Sequence, residues 1–124
     1  MRTLLIAGLA AAALPLTAAS AQSMPVSEFL AKADALEKKG AMALFSGDIG
    51  KLKAEIVNSG KQLRAERDAA RKAGRKPATC LPEKAKVNST ELLAHFRALS
   101  PAERGVPVKA AFAGLMRKKY ACPA

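Results

Sequence analysis

Apolar residues recur along most of this chain at every third or fourth position, in stretches punctuated by glycine and proline, and that spacing predicts helices. The first helix is expected to open near Pro25, whose fixed backbone angle suits an opening turn, and to line up Val26, Phe29, Leu30, Ala33 and Leu36 before Gly40 stops it. A short apolar piece, Ala41 to Phe45, leads to Ser46-Gly47-Asp48, with Asp48 expected to cap the next helix. That helix is the longest. It places Ile49, Leu52, Ile56 and Leu63 at helical spacing, with Lys51, Lys53, Lys61, Arg64 and Arg67 on other faces, and should end by Gly74.

Pro77, Cys80 and Pro82 predict an irregular crossover over 75–87. Asn88, three residues before Glu91, reads as a capping box opening a helix with the stripe Leu92, Leu93, Phe96 and Leu99. Ser100-Pro101-Ala102-Glu103 repeats that start signal, but Gly105 and Pro107 limit it to a turn. A last helix from about Pro107 to Tyr120 should turn Val108, Ala111, Phe112, Leu115 and Met116 inward. No alternating strand pattern of useful length occurs, so the predicted fold is all-α, a small bundle of four to five helices.

Ahead of this lies a different pattern. Arg2, an unbroken run of apolar and small residues from Leu4 to Leu16, and Ala19-Ser20-Ala21 predict a secretory signal over 1–21, cleaved before Gln22. The alternative, an N-terminal membrane anchor, needs about 20 apolar residues. The run here is shorter and carries Pro15 near its end. Nothing after it reaches membrane length, so the expected mature protein is one periplasmic domain over 22–124, with no transmembrane segment.

Export changes the reading of the cysteines. In an oxidising compartment Cys80 and Cys122 are most simply a disulfide, which would tie the crossover to the end of the last helix. A metal site wants more ligands than two cysteines and one histidine, and no metal or other cofactor is expected.

The chain carries a formal charge of +11. A field of that sign attracts nucleic acid, acidic envelope polymers or an acidic protein surface. Nucleic acid is the weakest of these, because single-strand binders stack bases on aromatic platforms. This chain has one Tyr, no Trp and four Phe that mostly fall on apolar stripes, where they read as core. The densest basic stretch holds Arg71, Lys72, Arg75 and Lys76, which serve either as solvated cations at a helix C-terminus or as an anion site.

Catalytic candidates are few, and a binding protein is the expectation. His95 is the single histidine and reads as a structural residue on a short helix. Most acids have ordinary positions: Asp48, Glu91 and Glu103 at helix starts, Glu55, Glu66 and Asp68 among helix cations, with Asp68 and Lys72 set for an i,i+4 pair. An enzyme with an unmarked site stays open, since a site is made by geometry.

From the crossover onward a further pattern stands out. Cys80-Leu81-Pro82, Val87-Asn88, Glu91-Leu92, Leu99-Ser100-Pro101 with Arg104, and Met116 through Tyr120-Ala121-Cys122-Pro123 resemble the Rap/Tai family of immunity proteins. These are small periplasmic helical proteins that neutralise peptidoglycan amidase effectors delivered by type VI secretion. The resemblance covers residues 80–123 and implies an all-α fold, a Cys80–Cys122 disulfide, a tendency to form homodimers, and inhibition of a cognate amidase by occluding its active-site cleft. It implies no catalysis.

The matched residues read as structural, so the contact surface is taken from the residues themselves. The turn from Ser100 to Val106, with Glu103 and Arg104 expected to be exposed, is either a surface that enters a cleft or an ordinary helix connection. The competing function is a basic envelope-binding module for acidic polymers or lipid headgroups, with weak and salt-sensitive binding.

Overall fold

A computed structural model describes residues 23–123. The signal-like run over 1–21 lies outside the described residues. Four α-helices follow in order: α1 (Val26–Lys39), α2 (Gly47–Lys72), α3 (Ser89–Arg97) and α4 (Val108–Lys119). Short 3₁₀ segments occupy Gly40–Phe45 and Glu103–Gly105. Among the described residues there is no strand, only an isolated bridge between Pro25 and Pro107.

The helices begin and end for local reasons. Asn88 accepts the Glu91 N–H through Oδ1 at 2.7 Å, which satisfies a free donor at the start of α3. For α2 the cap is Ser46, whose hydroxyl accepts from the Asp48 N–H at 3.3 Å. Asp48 itself sits in the first turn and meets Lys32 and Lys51, so the expectation that it caps is corrected. Gly40 closes α1 at φ 55°, a left-handed angle that side chains with a Cβ rarely adopt.

The stripes meet in one core. Phe96, Val26, Val108 and Met116 are fully buried, and Phe29 stands edge-on to Phe96 with ring centroids 5.2 Å apart. Leu30, Leu52, Leu63, Leu92, Phe112 and Leu115 complete the cluster. The start of the described chain is clasped between helices. The Val26 N–H donates to the Val106 carbonyl at 2.9 Å, and the Val108 N–H donates to the Met24 carbonyl at 2.8 Å.

Two residues stand where the sequence pattern did not put them. Phe45, read as core, is 84% exposed, because the 3₁₀ segment carries it past the end of the bundle. Arg67, read as an outer cation, is buried beside the crossover.

Candidate functional site

The crossover has little regular structure of its own, so its position rests on side chains from α2. The Arg67 guanidinium donates to the Leu81 carbonyl, to Glu83 Oε1 at 2.7 Å and to Asp68 Oδ1 at 2.9 Å. Hydrogen bonds to Asp68 and Glu83 raise the Arg67 pKa, and the bond from Arg67 holds the Asp68 carboxyl below its ordinary value. Asp68 therefore bonds its neighbour Arg67, where an ion pair with Lys72 was expected. One turn earlier, Arg64 Nε donates to the Pro82 carbonyl at 3.1 Å.

The other anchor is covalent. Cys80 and Cys122 form a disulfide with Cα atoms 4.9 Å apart, and the Cys80 N–H donates to the Tyr120 carbonyl at 2.9 Å. This attachment brings the C-terminal ends of α2 and α4 to the same end of the molecule. Arg71, Lys72, Arg75 and Lys76 are all exposed there, as are Arg117 and Lys118 of α4. Arg71 Nη2 lies 3.8 Å from Cys80 Sγ. Among the described residues none of these six cations forms an ion pair, whereas Lys119 is held by Glu91 at 2.9 Å and by the Lys86 carbonyl at 2.8 Å.

Between α3 and α4 the turn from Ser100 to Val106 is fixed by its own side chains. Arg104 folds back, donating through Nε to the Leu99 carbonyl at 3.1 Å and through Nη2 to the Arg97 carbonyl at 2.9 Å. Arg104 is consequently half-buried, where exposure was expected. The Ser100 N–H donates to Glu103 Oε2 at 3.3 Å, the reach-back that the sequence signal implied. Ser100, Pro101, Ala102 and Glu103 face solvent. Beside the turn, an open depression of about 660 Å³ is lined by residues that include Gly105, Pro107, Lys109, Glu66, Thr79 and Arg117.

Two further polar side chains join helices to one another. His95 donates through Nε2 to the Ala111 carbonyl at 3.0 Å, joining α3 to α4. Arg97 bridges to Asp34 and Glu37 of α1 at 2.8 and 3.0 Å, and these bonds raise its pKa. Among the described residues no group of three His, Cys, Asp or Glu side chains could hold a metal ion, and no helix is long and apolar enough to cross a membrane.

The structure thus gathers Ser100, Glu103 and Arg104 into one turn, and Arg71, Lys72, Arg75 and Lys76 at the disulfide-bonded end. Arg67 was missed, although it falls four residues after Leu63 and continues the buried stripe of α2. No family model, curated protein or solved structure matches this chain.

Proposed function

We propose that this is an immunity protein, exported to the periplasm through residues 1–21, that binds and inhibits a peptidoglycan amidase effector by covering its active-site cleft. It catalyses nothing. The observation that carries this reading is the preformed turn at Ser100–Val106, tied down by Arg104 and Glu103 with Pro101 and Ala102 presented outward. A turn already in its binding shape loses little conformational entropy on entering a cleft, which favours tight recognition. The resemblance of residues 80–123 to the Rap/Tai family supports the same reading, since the two framing cysteines are bonded.

The test retains binders from envelope extract on the oxidised protein at low and moderate salt, assays the eluate for amidase activity, and repeats the experiment with Ala102→Trp. A cell-wall amidase held at moderate salt, inhibited by the unsubstituted protein and released by the bulky substitution, is the expected result. Retention of acidic polymer alone, lost as salt rises, would refute it.

The cluster of six exposed cations at the disulfide-bonded end favours a second reading, a basic envelope-binding module. Exposed charges are screened within about 8 Å at physiological ionic strength, so this reading predicts weak, salt-sensitive binding. Arg75→Glu with Lys76→Glu would weaken binding under that reading and leave amidase inhibition intact under the first.

A further inference from the structure

The 3₁₀ segment between α1 and α2 breaks the usual rule for surface residues. Met42 is 67% exposed, Leu44 80% and Phe45 84%, three large apolar side chains within four consecutive residues that no neighbour covers. Their backbone is framed by two bonds: the N–H of Gly40, which turns the chain out of α1 at positive φ, donates to the Glu37 carbonyl, and the Ser46 N–H closes onto the Ala43 carbonyl at 3.0 Å. Neither bond needs these side chains. The segment is a projecting apolar tip, and contiguous exposed apolar surface marks contact with a partner or a membrane.

The charges around the tip select between those partners. Lys38 and Lys39 end α1, and Lys53 lies in the second turn of α2; all three are exposed and form no ion pair among the described residues. Lys51, also exposed, lies 3.8 Å from Asp48 Oδ1, which Lys32 also meets at 3.5 Å. Glu37, the nearest acid on α1, is engaged by Arg97. Lys38 and Lys39 directly before the tip, and Lys51 and Lys53 within the first two turns of α2 after it, thus flank the apolar end along the chain as a lysine collar.

We propose that this tip is a membrane-docking element, with Met42, Leu44 and Phe45 entering the boundary between headgroups and acyl chains of an anionic bilayer while the lysine collar meets lipid phosphates. Apolar burial and cation attraction act together in such a contact. A second copy of the chain is the rival occupant, its Phe45 seated in the apolar groove between α1, α2 and α3 that Leu36, Ile49, Ile56, Val57 and Leu93 help to line. Charge favours lipid, because the groove carries Lys53 and the incoming tip brings Lys38 and Lys39, which it repels, whereas phosphate headgroups attract all three.

This element is separate from the basic end. α2 has 26 residues, so at about 1.5 Å of rise per residue the tip and the Arg71–Lys76 stretch lie about 39 Å apart. One face on lipid leaves the other end free.

The chain has no tryptophan, so Phe45→Trp installs a single indole reporter at the tip. Vesicles of mixed phosphatidylglycerol and phosphatidylcholine should blue-shift its emission and expose it to quenchers placed on the upper acyl chain; vesicles of phosphatidylcholine alone should do so weakly. Co-sedimentation of the otherwise unsubstituted protein measures partitioning. Leu44→Ser with Phe45→Ser should lower it about a hundredfold, and Lys38→Glu with Lys53→Glu should lower it about tenfold or more.

Arg75→Glu with Lys76→Glu, at the other end, should leave indole burial unchanged. Unchanged circular dichroism melting confirms that each variant is folded, as expected for exposed side chains. Three outcomes overturn the proposal: an indole that stays solvent-exposed on anionic vesicles, partitioning abolished by the Arg75 and Lys76 substitutions but not by those at the tip, or a vesicle-free dimer that Leu44→Ser with Phe45→Ser converts to monomer.

Discussion

Replacing Arg67 tests whether the crossover is held by one side chain. Arg67→Met keeps most of the alkyl packing and removes the guanidinium, leaving the carbonyl of the almost fully buried Leu81 without its partner. An unsatisfied buried acceptor costs about 1–3 kcal/mol. The Glu83 carboxylate is 75% exposed, so its release to water adds about 1 kcal/mol or less, and Asp68 is exposed and returns to water. The expected loss is about 2–3 kcal/mol, and Arg67→Ala should exceed it because the buried stem is lost as well. Glu83→Gln should cost under about 1 kcal/mol.

Urea denaturation with the disulfide intact measures these differences, and thermal unfolding should show Tm lower by about 10 °C or more for Arg67→Met. An Arg67→Met variant as stable as the parent would refute the clamp. So would a Glu83→Gln loss equal to that of Arg67→Ala, since the exposed ion pair would then outweigh the buried carbonyl.

Two further predictions concern the same end of the molecule. The disulfide spans 42 positions, for which loop-closure entropy gives about 4 kcal/mol, so Cys80→Ser with Cys122→Ser should destabilise the domain by about that much, read by urea midpoint. If the double variant unfolds at the parent's midpoint, the staple contributes nothing. In acid, Asp68 sets a window. Its pKa is lowered from the ordinary 3.8 in the folded state, so its stabilisation is complete above that value and is lost as pH falls through the folded pKa. Asp68→Asn should therefore flatten the acid limb of stability against pH while Arg67 stays charged; an unchanged limb would sink this assignment.

Elements with a repeating pattern were the most legible in the sequence. The stripes of α1, α3 and α4 matched burial closely, because period and packing follow the same geometry in a helix that lies on one core. Asn88 and Gly40 were readable for a similar reason, as each satisfies a local requirement that needs no distant partner. Arg67 and Phe45 were misread because polarity stood in for location. Arg67 is buried because the crossover turns two backbone and side-chain acceptors toward it, and Phe45 is exposed because its segment projects beyond the helices that could have covered it. Asp48 and Ser46 both offered a capping oxygen, and where the helix actually begins decided between them. At the candidate turn, Glu103 reaching back was legible from its spacing, but the bonds of Arg104 to two carbonyls depend on how α3 ends.

The clasp at the start of the domain sets an order of assembly. Met24 and Val26 lie at the start of α1, yet their backbone partners, Val106 and Val108, arrive only after α1, α2 and α3 have been synthesised. Cys122 comes later still, beyond α4. The two ties thus join the segment ahead of α1 and the crossover to residues at the two ends of α4, and a chain that has not yet reached α4 can complete neither. Cys80 has no cysteine to pair with in its own chain until Cys122 has been made, so this disulfide closes only after α4 has been synthesised.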